Sequence, residues 1–271
     1  MEKWKDNVFF VLVEPKESGN IGASARAIKN MGFTNLSLVS PPALMTDEAR
    51  WFACNALDVL KSARSYPDVK SAIRDKAIVV GTSRRTGKRR GMILPVEQGA
   101  RNIIERAQSG KIAILFGRED KGLLNEEVNE CGLLLTIPTS KEHRSLNLAQ
   151  AVLIVAYEFM KAGYESQGSG VKGQGAAKKR KTRRSTDKPS PKMFESGEFG
   201  TQLVSNEEIG TLYARMTETL KLLEYIPRGD RDLEAKIMQN LKHFIARSGL
   251  TDWELNMMHG ILSQIEKKVK I

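Results

Sequence analysis

Residues 114–157 read ILFGREDKGLLNEEVNECGLLLTIPTSKEHRSLNLAQAVLIVAY, and this stretch decides the fold. The apolar run Ile112–Phe116 stops at Gly117, and a second apolar run over residues 133–137 stops at Pro138. Short apolar runs bounded by Gly or Pro are typical of strands buried on both faces. Open α/β sheets hold ligands in the loops at the carboxyl ends of their parallel strands, so the polar loops after these runs predict a small-molecule site.

Strand and helix patterns alternate from the start of the chain up to this stretch. Val8–Val13 predicts the first buried strand, and a helical pattern follows from Ile21 to a stop at Gly32. Further strands are predicted over residues 36–39 and 77–80, a mainly helical segment over residues 46–63, and helices over residues 67–75 and 95–108. Because strand-helix-strand connections are right-handed, this order predicts an α/β domain whose parallel sheet is covered by helices on both faces.

The composition of the chain changes after Met160. Residues 163–202 are rich in Gly, Ser, Lys and Pro, which predicts a flexible basic linker between an α/β domain at 1–162 and a second domain at 203–271. The linker carries a run of basic residues: Lys178, Lys179, Arg180, Lys181, Arg183 and Arg184. This run is either a solvated tether or an arm that binds a phosphate backbone, and the sequence leaves both interpretations open.

Residues 203–271 have the pattern of a small all-α domain. Ser205 with Glu208, and Thr251 with Glu254, form capping boxes that each open a helix. A turn over residues 227–230 and a middle helix over residues 231–247 are predicted between them. Apolar positions at helical spacing in the middle helix are predicted to belong to the core of this domain: Ile237, Leu241, Phe244 and Ile245.

The chain is strongly basic. Its 43 Lys and Arg against 32 Asp and Glu give a net charge of +11, which favours a polyanionic partner such as nucleic acid over a merely soluble basic protein. Cys54, Cys131 and the three histidines lack the spacing of metal ligands, so no metal is expected. We see no signal-peptide pattern and no window with the about 18 apolar residues of a membrane span, and expect a cytoplasmic protein with no membrane partner.

The first strand-to-helix turn contains Asn20, Gly22 and Arg26. Gly19 and Gly22 are spaced wrongly for the dinucleotide-binding fingerprint, which argues against an enzyme that uses NAD. This turn is predicted to bind an anionic group. It combines a helix N-terminus, small residues that allow close approach, and a guanidinium one turn beyond Gly22. The alternative is an exposed arginine on a helix surface.

Three further polar residues lie in the loops of residues 114–157. Glu119 stands between two glycines, where its carboxylate can accept hydrogen bonds from amides or pair with a cation. Ser145 is predicted to be the N-cap of the last helix of the α/β domain, with Asn147 in its first turn. Both are either helix caps or site residues.

Three segments, in order, resemble the motifs of the SPOUT RNA 2′-O-methyltransferases. They are Asn20-x-Gly22-x-x-x-Arg26, Phe116-Gly117-x-Glu119-x-x-Gly122-Leu123, and Ile137-Pro138 followed by Ser145-Leu146-Asn147-Leu148-Ala149. Residues 223–266 also resemble the C-terminal extension of the TrmJ subgroup, which methylates an anticodon-loop ribose of tRNA. The resemblance therefore implies 2′-O-methylation of a tRNA cytidine or uridine, with nucleotide 32 as the target. An enzyme acting on ribosomal RNA and a non-catalytic RNA-binding protein remain the alternatives.

The resemblance also implies a parallel α/β domain with a C-terminal trefoil knot whose loops bind S-adenosylmethionine. The implied cofactor-binding residues are Thr82, Ser83, Arg84, Gly117, Ile137, Arg144, Ser145 and Leu146. The implied catalytic residues are Arg26, Asn20, Glu119, Ser145 and Asn147. The family is a homodimer with its active site at the subunit interface, so we expect residues 20–26 to come from the partner subunit. Besides Arg26 and the linker run, the RNA-binding candidates are those of the basic loop, Arg84, Arg85, Lys88, Arg89 and Arg90.

Overall fold

The computed structural model describes residues 3–85, 92–140, 142, 145–168, 202–226, 231–246 and 248–269. Within these residues seven strands form one sheet, in the order β3-β2-β1-β6-β4-β7-β5. The strands are β1 Val8–Val13, β2 Asn35–Val39, β3 Arg64–Tyr66, β4 Ile78–Thr82, β5 Ile93–Pro95, β6 Ile112–Phe116 and β7 Leu133–Thr136. Every pairing between them is parallel, which confirms the predicted parallel α/β sheet.

Helices cover both faces of the sheet. They are α1 Ser18–Asn30, α2 Asp47–Ala53, α3 Leu57–Ser62, α4 Val69–Ile73, α5 Val96–Ile104, α6 Asn125–Asn129 and α7 Leu148–Gly168. In β1, Phe10 and Leu12 pack with α1, α5 and α7, whereas Val11 and Val13 pack on the opposite face with α4 and α6. This alternation explains why β1 is apolar throughout: five of its six residues belong to one of two buried layers, and Phe9 is half-buried.

Two edge strands and one helix break differ from the sequence prediction. β3 and β5 are three residues long and lie at the two edges of the sheet, where Pro95 is tolerated because it need not donate to a ladder. Residues 46–63 are mainly helical, as predicted, but the helix is interrupted: α2 ends at Ala53, and the next residue, Cys54, has a backbone φ of +47°. A positive φ at a residue other than glycine ends the helix at this point.

Helix α7 continues six residues beyond the predicted end of the α/β domain at residue 162. The predicted linker starts at Gly163, but this residue lies against the ring of Trp4, where a Cβ atom would be 2.2 Å from the indole. The glycine therefore permits close packing of α7. Residues 163–168 belong to α7, and the basic run of the predicted linker lies outside the described residues.

The C-terminal region contains α8 Asn206–Leu222, α9 Arg231–Ala246 and α10 Asp252–Val269. Both predicted capping boxes are present, and the predicted turn over 227–230 lies outside the described residues. Ile245 is buried in the core of this region, Ile237 and Leu241 are half-buried, and Phe244 is 70% exposed. The prediction for Phe244 is wrong: its side chain lies about 100° around α9 from that of Ile245 and stays outside the core that buries Ile245.

This helical region is attached at the amino ends of the strands. The amide of Leu203 donates to the carbonyl of Ser109 at 2.8 Å, and the amide of Asn206 donates to the carbonyl of Lys76 at 2.7 Å. Arg74 pairs with Glu207 at 2.6 Å. Because Lys76 and Ser109 precede β4 and β6, the helical region lies at the opposite end of the sheet from the polar loops.

Candidate active site

An open cleft lies at the carboxyl ends of β4, β6 and β7, beside the start of α7. Seven of the eight predicted cofactor-binding residues line it: Thr82, Ser83, Arg84, Gly117, Ile137, Ser145 and Leu146. The eighth, Arg144, lies outside the described residues. Residues from three separate loops meet here because β6, β4 and β7 are consecutive neighbours in the sheet.

The loop after β4 is fixed by bonds to both neighbouring strands. The hydroxyl of Thr82 donates to the carbonyl of Leu115 in β6 at 2.9 Å, and the amide of Ser83 donates to the carbonyl of Leu135 in β7 at 2.9 Å. The Ser83 hydroxyl then accepts a bond from the amide of Arg85 at 3.1 Å. These bonds hold Thr82 and Ser83 in the cleft wall and leave Arg84 and Arg85 exposed at its rim.

Asn20, Glu119 and Asn147 form one hydrogen-bonded group. The side-chain amide of Asn20 donates to Glu119 Oε1 at 2.9 Å, and the side-chain amide of Asn147 donates to Asn20 Oδ1 at 2.8 Å. The three residues come from α1, the loop after β6 and the start of α7. The structure thus brings together in one chain three of the five predicted catalytic residues.

The carboxylate of Glu119 occupies the N-terminus of α1. It accepts bonds from the backbone amides of Lys16 at 3.1 Å and Glu17 at 3.4 Å, in addition to that from Asn20. Partial burial on its own raises the pKa of Glu119, but these hydrogen bonds outweigh it and hold the pKa below its ordinary value. The anion predicted at this helix N-terminus is therefore, in this structure, the protein's own carboxylate.

Gly22 has a packing role. A Cβ atom at Gly22 would be 2.1 Å from the carbonyl oxygen of Ala49, so its absence lets α1 and α2 approach closely. The interpretation that small residues here allow a ligand to approach is wrong for Gly22, which is buried between the two helices.

The start of α7 differs by two residues from the prediction. The helix begins at Leu148, and Asn147 Oδ1 accepts a bond from the amide of Ala149 at 2.9 Å, which makes Asn147 the cap. Ser145 is exposed and lines the cleft, so its predicted role as N-cap is wrong. One side chain, Asn147, thus both caps α7 and donates a hydrogen bond to Asn20.

Arg26 is exposed and lies outside the cleft of its own chain. Its guanidinium Nη1 lies 3.5 Å from the sulfur of Cys54, at the end of α2. Six residues separate it from Asn20, so it stands nearly two turns further along α1. The other predicted RNA-binding residues, Lys88, Arg89, Arg90 and the basic run, lie outside the described residues.

A buried charge cluster was missed by the sequence reasoning. The side chain of Arg118 is 8% exposed; it bonds to Glu14 at 2.8 Å and to Glu127 at 3.0 and 3.1 Å. The hydrogen bond from Arg118 lowers the pKa of Glu14. The backbone of Glu14 has a positive φ of +45°. The sequence pattern could have predicted this pair. Glu14 and Arg118 follow the ends of β1 and β6, and because these strands are parallel neighbours, the two residues lie next to each other.

No cluster of three or more His, Cys, Asp or Glu side chains suited to a metal occurs among the residues that the structure describes. The helices described here also include none that is long and apolar enough to cross a membrane.

Comparison with known proteins gives the class of this fold and site. Residues 7–157 match the SpoU rRNA Methylase family, and the chain belongs to that family. Residues 207–271 match the C-terminal domain of the tRNA methyltransferase TrmJ. The resemblance found from the three motifs and the helical tail is thereby confirmed.

Individual relatives cover nearly the whole chain. The tRNA (cytidine/uridine/adenosine-2′-O-)-methyltransferase TrmJ of Pseudomonas aeruginosa is 32% identical over 263 residues, which cover 97% of this chain and 95% of that protein. The tRNA (cytidine/uridine-2′-O-)-methyltransferase TrmJ of Escherichia coli K12 is 32% identical over 265 residues, 97% of each. The crystal structure of TrmJ from Z. mobilis ZM4 superposes with a TM-score of 0.69 at 29% identity, covering 95% of this chain and 98% of that one.

Proposed function

We propose that this protein transfers a methyl group from S-adenosylmethionine to the ribose 2′-hydroxyl of a cytidine or uridine in tRNA. The observation that carries the proposal is the hydrogen-bonded group of Asn20, Glu119 and Asn147 at the edge of a cleft lined by the matching family motifs. The activity named for its TrmJ relatives supports the substrate class. We further propose nucleotide 32 of the anticodon loop as the target.

The cleft has the chemistry that the cofactor needs. Leu135, Ile137 and Leu148 supply apolar walls for an adenine ring, and Thr82 and Ser83 supply polar groups near them. The sulfonium methyl of S-adenosylmethionine is already electrophilic, so the protein's own task is to orient the hydroxyl and stabilise the charge that develops on it. We also propose that the chain leading into α7 forms the trefoil knot of the family, with its loops in the cleft wall.

We assign the stabilisation of that charge to Arg26. Arginine side chains keep their positive charge in proteins, so this residue serves better as a clamp for the adjacent phosphate and the developing alkoxide than as a base. Because Arg26 does not line the cleft of its own chain, we propose that it acts in the cleft of a second subunit.

The proposed homodimer forms through the outer face of α7. Val152, Val155 and Phe159 are buried on its inner face, whereas Leu153 and Tyr157 are 40% and 46% exposed on the outer face. A helix that is apolar on both faces favours burial of the second face against a partner. Helix α1, which carries Arg26, packs against α7. A partner on α7 would therefore also lie near Arg26.

The test combines one substitution with one mixing experiment. Arg26→Ala should abolish methyl transfer and leave the affinity for S-adenosylmethionine, measured by calorimetry, unchanged, whereas Arg101→Ala on the exposed face of α5 should leave both unchanged. If Arg26 acts across the dimer, mixing Arg26→Ala chains with chains carrying Ser145→Ala in the cleft, each expected to be inactive alone, should restore about a quarter of wild-type activity, from the one intact site in each mixed dimer.

The outcomes separate the alternatives. Loss of cofactor binding in Arg26→Ala, or no recovery on mixing, would overturn the assignment of Arg26. Mapping of 2′-O-methyl positions in total RNA, with and without the protein, distinguishes tRNA nucleotide 32 from other tRNA positions and from ribosomal RNA. A wild-type protein that binds no S-adenosylmethionine would instead favour a non-catalytic RNA-binding function.

A further inference from the structure

Two large aromatic side chains are exposed side by side on α2. Trp51 is 76% exposed and Phe52 is 52% exposed. Neither side chain takes part in the cofactor cleft. Exposed aromatic residues next to each other on one short helix favour an interaction surface over a chance distribution of apolar residues.

The exposure of this pair follows from how α2 is held. Ala49 and Ala53 are fully buried against α1, where Gly22 allows the two backbones to approach, and the hydroxyl of Thr46 caps the helix by accepting a bond from the amide of Ala49 at 3.1 Å. Helix α2 is thus fixed through its small residues. Its large residues are left on the outside, on a firmly held helix.

The aromatic pair lies between the two ends of the first motif. The ring of Phe52 lies against Gly19, where an added Cβ would be 3.1 Å away, and Gly19 precedes Asn20 of the hydrogen-bonded group. The carbonyl of Trp51 accepts a bond from the thiol of Cys54 at 3.1 Å, and the sulfur of Cys54 lies 3.5 Å from Arg26. The pair is therefore continuous with the residues assigned to the reaction.

We infer that Trp51 and Phe52 form a stacking surface for unpaired bases of the substrate RNA, next to the ribose that is methylated. This inference rests on the proposed function and deepens it. Loop nucleotides in RNA are commonly bound by stacking of their bases on aromatic side chains. Arg50 precedes Trp51 in the sequence, and Arg26 contacts Cys54, whose thiol bonds to the carbonyl of Trp51. Both arginines are exposed and supply positive charges for the phosphates. The positive charges of Arg26 and Arg50 favour a nucleic acid over the apolar face of a second subunit.

The first experiment compares two substitutions of the same residue. Trp51→Phe keeps an aromatic face, and Trp51→Leu keeps an apolar side chain without one. We expect Trp51→Leu to raise the Kd for unmodified tRNA roughly tenfold and Trp51→Phe to raise it less than about threefold, because base stacking on one aromatic side chain accounts for changes of this size. The affinity for S-adenosylmethionine and the molecular mass in solution should be unchanged in both variants.

The second experiment observes the stacking directly. In a Trp253→Phe background the two remaining indoles are the buried Trp4 and the exposed Trp51, so titration with tRNA should quench the fluorescence of Trp51. Equal tRNA affinity in wild type and Trp51→Leu, or no quenching at saturating tRNA, would overturn the inference. A reduced molecular mass in Trp51→Leu would also overturn it and assign the pair to a subunit contact. Failure of the proposed function would show separately, as a wild-type protein that transfers no methyl group to tRNA.

Discussion

Replacing Arg118 by Met would remove the cation from the buried charge cluster beneath the cleft. The side chains of Arg118 and Glu127 are each 8% exposed, so the substitution leaves the Glu127 carboxylate buried without its counter-ion. Breaking a buried ion pair in this way costs about 3 to 5 kcal/mol. With a urea m-value of about 2 kcal/mol per molar, a loss of about 3 kcal/mol lowers the midpoint of unfolding by about 1.5 M.

The same loop supplies a matched control. Lys16 pairs with Asp120 at 2.6 Å, but their side chains are 53% and 42% exposed. Exposed pairs of this kind contribute at most about 1 kcal/mol, so Lys16→Met should shift the urea midpoint by no more than about 0.5 M. Intrinsic fluorescence reports the transition, since Trp4 is buried in the α/β domain.

A second substitution tests the physical cause. If the cost arises from the uncompensated carboxylate, changing Glu127 to Met as well should recover part of the lost stability, because an apolar pair of similar volume replaces the buried charges. Arg118 also lines the cleft, so Arg118→Met should weaken binding of S-adenosylmethionine. The reasoning is refuted if Arg118→Met and Lys16→Met shift the midpoint equally, or if the double variant is as unstable as the sum of the single ones.

The charges and thiols of the chain lead to four further predictions. The folded pKa of Glu119 lies below its ordinary value of 4.5. The stability that Glu119 contributes is therefore present above pH 4.5 and is lost as pH falls through the folded pKa. The difference in unfolding free energy between wild type and Glu119→Gln should shrink on acidification below pH 4.5. Burial raises the pKa of Cys131, whereas Cys54 is exposed, so a thiol reagent should modify one cysteine in the native protein and the second only after unfolding. Modification of Cys54, beside Arg26, should lower methyl transfer. Neutralising the basic run at residues 178–184 should weaken tRNA binding. The slope of log K against log salt concentration should become shallower by up to about 0.9 for each phosphate that the run neutralises. An unchanged binding isotherm would identify the run as a tether.

The strands that can be predicted from the sequence are those that fill two buried layers. The predicted bounds of Val8–Val13 match the observed ones, because six apolar residues between polar loops have few other interpretations. β3 and β5 escape prediction for the opposite reason. Each has three residues, none of them fully buried, and a strand this short at a sheet edge carries no periodicity.

The cleft can be predicted because its residues follow strands that the sequence pattern places in one sheet. The hydrogen bonds within the cleft cannot be predicted in this way. Whether Glu119 pairs with a cation or accepts amide bonds depends on the position of α1 relative to the β6 loop, which periodicity does not determine. The roles of Gly22 and Gly163 cannot be predicted either. The sequence alone does not distinguish a glycine that allows close packing from one that ends a helix or belongs to a flexible linker.

The position of Glu119 changes how the two halves of the site relate. From the sequence, residues 114–157 are expected to hold the cofactor, and residues 20–26 to supply catalysis from elsewhere. In the structure the carboxylate of Glu119, in the cofactor loop, is held by the amides that open α1, and Asn147 at the start of α7 is bonded to Asn20 in the first turn of α1. The helix that carries Arg26 toward the proposed partner site is thus anchored by the cofactor loop of its own chain.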